Sequence, residues 1–343
     1  MSDNYLYLFS FVIALIISVT ATPFFRTIAV KLNILDRPLT EIKTHKTNAP
    51  YLGGLVIALA WFLTLIAMRQ FTDFPTGTLR NLRGIIYASS IIMILGLIDD
   101  VKYKGLGYKT KLLIQFLAAA IIVIGFDIRI NFIEYYYPSV IISIIWVVGI
   151  TNALNIIDIM DGLSSGIALI ASVAFLFISL PTEMIYVNFC AAALAGAILG
   201  FMPYNFSKSK KIFMGDAGSL FIGIILSTLA MGTSYTNMSE IGSFSPLVIL
   251  AVPIYETFLV SWFRIRKGKS PLVGSKDHYA LRLERAGFSR KKILIITYAV
   301  CIVLAICAYL FTVLSITYSI ILFALVLISL WITSMELSSI KVE

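Results

Sequence analysis

Eleven apolar runs divide this chain, near residues 4–22, 51–68, 84–98, 111–126, 138–154, 162–180, 184–203, 217–234, 244–263, 293–312 and 314–335. Runs of this length and composition are read as helices that cross a hydrocarbon layer of roughly 30 Å. The pattern predicts an all-α polytopic membrane protein with about eleven transmembrane helices. Composition agrees: 59% of residues are hydrophobic and 13% charged, where a soluble domain carries about a quarter charged.

The polar breaks between the runs set an orientation. If alternate loops face opposite sides, one side keeps only Arg69, Arg80, Arg83 and Arg129, and the other takes all the rest of the 27 Lys and Arg. The positive-inside rule makes the basic side cytoplasmic, with the N-terminus outside and the C-terminus inside. The formal charge of +9 is thereby concentrated on one face, which attracts anionic lipid heads and phosphorylated substrates rather than nucleic acid. Met1 to Tyr5 carries Asp3 and no Lys or Arg, so an uncleaved first span is expected rather than a signal peptide. Cys190, Cys301 and Cys307 fall inside apolar runs without metal-site spacing and read as packing residues. No long internal repeat or soluble domain interrupts the pattern. The chain reads as one integral-membrane domain, 1–343, whose cytoplasmic loops are 23–50, 99–111, 151–163, 204–219 and 264–292.

The polar residues of those loops carry the candidate chemistry. Asp99 and Asp100 end the third run directly before the basic segment Lys102 to Lys111. Adjacent carboxylates at a membrane surface repel each other, so a bound cation or a reacting phosphate explains them better than packing. In the block Asn152-Ala153-Leu154-Asn155-Ile156-Ile157-Asp158-Ile159-Met160-Asp161-Gly162, Asn152, Asn155, Asp158 and Asp161 recur every third residue, which on a helix makes one polar stripe. Carboxamides and carboxylates suit a hard cation such as Mg²⁺, or a ribose and base. Gly215-Asp216-Ala217-Gly218-Ser219 precedes the eighth run. Its glycines and the helix N-terminus would receive an anion, and Asp216 would face that anion through a divalent cation. The basic loop from Arg264 contains Arg266 and His278, one of only two histidines, the other being His45. Glu256 is a carboxylate inside the tenth run and so a functional candidate.

Together these motifs resemble the polyprenyl-phosphate N-acetylhexosamine-1-phosphate transferases, the WecA/TagO/MraY-like superfamily of glycosyltransferase family 4 type, most closely its WecA-like branch. The similarity begins in the first loop with Thr22-Pro23, Arg26, Leu35-Asp36-Arg37-Pro38, Lys43, His45, Pro50 and Gly53-Gly54. It continues through Asp99-Asp100, Lys111 and Gln115, the Asn152 block, Gly215-Asp216, and Pro253 to Thr257, and ends in the Arg264 to Pro271 segment. The resemblance implies transfer of N-acetylhexosamine-1-phosphate, GlcNAc-1-phosphate above all, from a UDP-sugar to undecaprenyl phosphate. UMP would be released, and a lipid-linked surface glycan such as O-antigen begun.

It also implies roles. Asp216 and Asn155 would bind Mg²⁺, for which Mn²⁺ could substitute. Asp158 would lie nearby, and Asp99 and Asp100 would orient or deprotonate the lipid phosphate. Lys111 would neutralise the diphosphate and Asp161 would help hold the uridine. Lys43, His45, Asn152, Gly215, Gly218, Ser219, Glu256, Arg264, Arg266 and His278 would complete the substrate contacts. A bacterial plasma membrane, a cytoplasm-facing site and a homodimer are expected with it. Two departures stand out. Relatives follow the Ser-Pro with a His-x-His or His-x-His-His cluster, where this chain has His278 followed by Tyr279, Ala280 and Leu281, and Glu256 stands where Asp is usual. The rival reading from residues alone is a secondary transporter relaying cations or protons over Asp99, Asp100, Asp158 and Glu256. Transporter sites, however, sit near mid-bilayer on broken helices in symmetric halves.

Overall fold

The computed structural model describes residues 4–36, 49–102, 105–182, 184–233, 235, 240–271 and 274–340. Every predicted apolar run is helical. Among the described residues, nine helices are long and apolar enough to cross a membrane, so the chain is an all-α polytopic membrane protein. In order these are α1 (Asn4–Lys31), α3 (Thr76–Val101), α4 (Tyr108–Ala120, prolonged by a π-turn over Ile121–Gly125) and α5 (Tyr136–Ile156). They continue with α6 (Leu163–Ser179), α7 (Ile185–Phe206), α8 (Gly215–Gly232), α12 (Arg290–Val313) and α13 (Ile316–Ser339).

The other two runs depart from a simple span, for local reasons. α2 (Gly53–Met68) has only 16 residues, because the chain before it is extended. Leu35–Asp36 (β1) pairs antiparallel with Ala49–Pro50 (β2), and Phe213 N–H donates to Pro50 O (2.8 Å). Gly53 and Gly54 N–H in turn donate to Phe213 O and Met214 O (3.0 and 2.8 Å). The run near 244–263 breaks into α9 (Ser245–Ile249) and α10 (Ala251–Arg266), with a 67° bend. Pro253 has no N–H for the carbonyl of Ile249 and its ring crowds that carbonyl, which kinks a helix. Pro23 in α1 is tolerated instead: the Val19 carbonyl it frees accepts the Tyr204 hydroxyl (3.0 Å).

The described residues form two compact units, one ending at Thr233 and one beginning after it. In the first, α7 and α8 are the enclosed helices. α1, α2 and α6 pack on α7, and α3 and α5 pack on α8. Close approach depends on glycines. A Cβ on Gly54 would lie 2.1 Å from Gly218 N, and one on Gly96 would lie 2.5 Å from the Ala217 backbone. Such small-residue contacts let polar backbone come together where the bilayer offers no hydrophobic drive between helices. In the second unit, Ser245 Oγ donates to Ala308 O (2.8 Å), Phe311 and Phe323 meet edge to face, and α11 (Tyr279–Arg285) precedes α12.

Candidate active site

At one end of the first unit, four helix termini converge: the C-terminal turns of α3 and α5 and the N-terminal turns of α4 and α8. Gly215, at φ +72°, adopts the left-handed conformation that turns the chain into α8. A Cβ there would strike the Asp100 carboxylate at 2.4 Å, so that carboxylate comes directly onto the backbone. Asp100 Oδ1 accepts Asp216 N–H (2.8 Å) and Oδ2 accepts Ala217 N–H (3.0 Å). The anion expected at this helix N-terminus is therefore the protein's own Asp100, which ties α3 to α8 and places Asp216. The local rule of an anion at a helix start holds, but a residue 116 positions away in sequence satisfies it.

Asp216, so placed, receives Lys111 Nζ on Oδ2 (2.6 Å) and Asn155 Nδ2 on Oδ1 (3.0 Å). Lys111 Nζ also reaches Asp99 Oδ2 (2.7 Å), and Asp99 Oδ1 accepts Leu106 N–H. One ammonium thus bridges two carboxylates that would otherwise repel. Asn155 Nδ2 lies 2.9 Å from Ser219 Oγ as well. Gly218 and Ser219 are buried and hold the loop from behind. Asp158 has neither hydrogen bond nor ion pair on its carboxylate among the described residues. Burial, followed by the neighbouring Asp216 and Asp161 charges, pushes its carboxyl well above the ordinary carboxylate range. A cation entering the site would draw it back toward the charged form.

The predicted polar stripe is helical only in part. α5 ends at Ile156, and Asp158 and Asp161 lie in the reversal before α6, which Gly162 closes at φ +79°. Asn152 stays on the helix and exchanges hydrogen bonds with the Gln115 amide (2.6 and 3.3 Å), holding α5 to α4. Asp161 Oδ2 pairs with Lys211 Nζ (2.5 Å), which also lies over the Phe213 ring at 5.0 Å. Asn205 steadies this corner, accepting Gly162 N–H (2.8 Å) and donating to Ile212 O (3.1 Å). Tyr51 stands at the rim: burial, then the adjacent Asp36 carboxylate, which is hydrogen-bonded to it, raise its phenol far above its ordinary value and keep it neutral. Lys211, Asn205, Gln115 and Tyr51 were not singled out for these contacts by spacing, because each meets its partner only through packing of distant segments.

Lys43 and His45 lie outside the described residues. The remaining candidates belong to the second unit. Arg264 is buried and held by Ser275 Oγ (3.0 Å) and Pro271 O (2.6 Å), whereas Arg266 is exposed and lies over the Trp262 ring at 4.9 Å. Glu256 and His278 are buried together, with Nδ1 and Oε1 at 2.7 Å.

Among the described residues, no three Asp, Glu, His or Cys side chains group closely enough to hold a metal ion alone. Mg²⁺ takes one or two carboxylates and completes its octahedron with waters and substrate phosphates, and Asp216 and Asp99, which already share the Lys111 ammonium, are the carboxylates that could serve it.

The family model for glycosyl transferase family 4 matches residues 82–234, a stretch that includes Asp99, Asp100, Lys111, Asn155, Asp158, Asp161 and Asp216. A probable undecaprenyl-phosphate N-acetylglucosaminyl 1-phosphate transferase of Bacillus subtilis (strain 168) is 30% identical over 87% of this chain and 83% of its own length. A decaprenyl-phosphate N-acetylglucosaminephosphotransferase of Mycolicibacterium smegmatis is 30% identical over 83% of this chain and 77% of its own. A phospho-N-acetylmuramoyl-pentapeptide-transferase of Limosilactobacillus fermentum is 31% identical over 72% and 78%. With a carboxylate cluster at one end of a membrane helix bundle and relatives spanning most of its length, this chain belongs to glycosyl transferase family 4, within the superfamily of polyprenyl-phosphate sugar-1-phosphate transferases.

Proposed function

We propose that this protein transfers GlcNAc-1-phosphate from UDP-GlcNAc to undecaprenyl phosphate, releasing UMP and starting a lipid-linked surface glycan, with the site facing the cytoplasm of a bacterial plasma membrane. The observation that carries the reading is the crowding of four carboxyl groups around one place, that of Asp216. The carboxylates of Asp99, Asp100 and Asp158 cluster about it, and one ammonium, Lys111, bridges two of the four. Such a place has high affinity for a divalent cation and, through it, for a diphosphate. Asp216, with Asn155 beside it, would hold Mg²⁺, and bound Mg²⁺ supplies Lewis-acid neutralisation of diphosphate oxygens.

The chain's own residues do the rest. An oxygen of the lipid phosphate attacks the sugar-bearing phosphorus. A new P–O bond forms, the bond to the bridging oxygen breaks, and UMP leaves with that oxygen's electron pair. A phosphate monoester is already an anion at neutral pH, so attack needs orientation and charge screening more than a strong base. Lys111 sits where it can screen both phosphates. Asp99 would orient the lipid phosphate and take up its remaining proton, and Asp100 keeps Asp216 in position. The Asp161–Lys211 pair beside Phe213 offers a carboxylate, an ammonium and a ring face to the nucleoside.

Purified protein supplied with labelled UDP-GlcNAc and undecaprenyl phosphate should form one lipid-linked product per UMP released. Chelation with EDTA should stop the reaction and added Mg²⁺ restore it. Product from UDP-GalNAc alone would reassign the donor, and no product from any UDP-sugar would overturn the reading. Lys211→Met should raise KM for the donor about tenfold while kcat changes little, the signature of lost uniform binding. An unchanged KM would remove Lys211 from the nucleoside site.

A further inference from the structure

Of the four helices that supply the carboxylate cluster, α4 is the least enclosed, although it brings the Lys111 ammonium. Tyr108, Lys109 and Thr110 in its first turn are exposed, as are Leu113, Phe116 and Leu117 further along. Over Tyr108–Ala120 it buries Gln115, Ala118 and Ala119, so Gln115 is the one polar side chain it commits to the interior. Gln115 follows Lys111 by one turn on the same face. Its amide meets that of Asn152 on α5 twice: Oε1 accepts Asn152 Nδ2 at 2.6 Å, and Nε2 donates to Asn152 Oδ1 at 3.3 Å. Asn152 Nδ2 also donates to Val148 O on its own helix (2.8 Å), which fixes the orientation of the amide. α5 is in turn seated on α8. A Cβ on Gly223 would lie 2.7 Å from Cα of Thr151, the neighbour of Asn152, and Trp146 Nε1 donates to Ser227 O (3.1 Å). A path of fixed contacts therefore runs from α8 through α5 to α4, and closes on α8 where Lys111 Nζ meets Asp216 at 2.6 Å.

Two kinds of contact hold Lys111, and they respond differently to other charges. Its ion pairs with Asp99 and Asp216 are weakened by salt, and an ammonium that screens phosphate oxygens must give up part of them. The neutral amide pair stands outside that competition, and polar side chains bonded across helices fix membrane helices against each other where apolar packing alone sets little preference. We infer that Gln115 is a positioning residue, whose amide pair with Asn152 sets α4 on α5 in one register and keeps the Lys111 ammonium at the cluster when its ion pairs are loosened. A slip of one residue moves a helix by about 1.5 Å and turns it by about 100°, enough to carry Nζ out of reach of both carboxylates. The kinetic consequence rests on the transferase reading, whereas the register does not.

A water-soluble carbodiimide joins an amine to a carboxylate only where the two meet, so it reads the Lys111 bridge without any turnover. Full-length protein is treated at rising salt, which screens the ion pairs and leaves the amide pair intact, then digested and read by mass spectrometry. Wild type should keep its Lys111–Asp99 and Lys111–Asp216 links at high salt. Gln115→Leu, which leaves Asn152 its bond to Val148, should lose most of them there. Exchanging the two residues, Gln115→Asn with Asn152→Gln, preserves their summed length and should restore the links, which neither single change does. In transfer assays Gln115→Leu should lose about 10- to 100-fold in kcat, the cost of a small misplacement. KM for UDP-GlcNAc should stay within about twofold, because the nucleoside corner is untouched, and the exchanged pair should regain most of kcat. Links that persist in Gln115→Leu as in wild type, or an unchanged kcat, overturn the inference, and so does an exchanged pair no better than its single variants. Absence of the links from wild type would refute the bridge itself. If wild-type protein transfers no sugar phosphate at all, the transferase reading fails and the links still decide Gln115.

Discussion

Asp216→Ala is expected to abolish transfer, by at least about 10³-fold or roughly 4 kcal/mol of transition-state stabilisation, at any Mg²⁺ concentration. Asp216 is the carboxylate on which Lys111 and Asn155 converge, at 2.6 and 3.0 Å. Its backbone N–H is held by Asp100 independently of its side chain, so the variant should fold with the loop in place. Asp216→Asn separates charge from shape: it keeps the volume and one acceptor but removes the negative charge that attracts a cation. Losses of similar size in both variants, with an unchanged thermal unfolding midpoint, identify charge as the contribution. Activity near wild type in either variant would remove Asp216 from the chemistry. A loss that high Mg²⁺ restores would reduce its role to cation affinity.

The second large effect is on folding. Gly96→Val should destabilise the first unit by about 3 kcal/mol or more, the upper range for overpacking, and eliminate activity with it. The added atoms have nowhere to go, since a Cβ at Gly96 would lie 2.5 Å from both N and Cα of Ala217. These are backbone atoms and cannot rotate aside as a side chain end would. Relief requires α3 to move off α8, and Asp99 and Asp100 lie three and four residues further along α3. The same displacement therefore breaks the Asp100 contacts to Asp216 and Ala217 N–H. Loss of activity without a fall in unfolding midpoint would contradict this coupling of packing to the site. Gly77, where a Cβ would meet nothing within 4 Å, serves as the control for the same substitution in the same helix.

Much of this architecture was readable from residue order. Long apolar runs must hydrogen-bond their own backbone in a lipid environment, which leaves a helix as the local solution whatever surrounds it. Hence all eleven runs are helical, and the misjudged details, the short α2 and the bent α9–α10 pair, trace to an extended segment joined to Phe213 and to a proline. Polar residues that lipid would penalise mark the site for the same reason, and Asp99, Asn155 and Asp216 were legible as members of one cluster.

Their division of labour was not. Regular spacing placed Asn152, Asn155, Asp158 and Asp161 on one stripe, yet α5 ends before Asp158, and Asn152 turns to Gln115 instead of to the carboxylates. Adjacent Asp99 and Asp100 looked equivalent, yet one is paired with a lysine and the other with two backbone amides. Asp161 with Lys211 and Glu256 with His278 are joined across 50 and 22 positions. The sequence by itself determined the membrane helices, the residue types available at their ends and the family. Only the tertiary structure decided which carboxylate positions, which is bridged and which remains open. Helix formation is settled within a few residues by backbone hydrogen bonding, whereas a side chain's partner depends on how closely distant helices approach, which here rests on a few glycines without a Cβ.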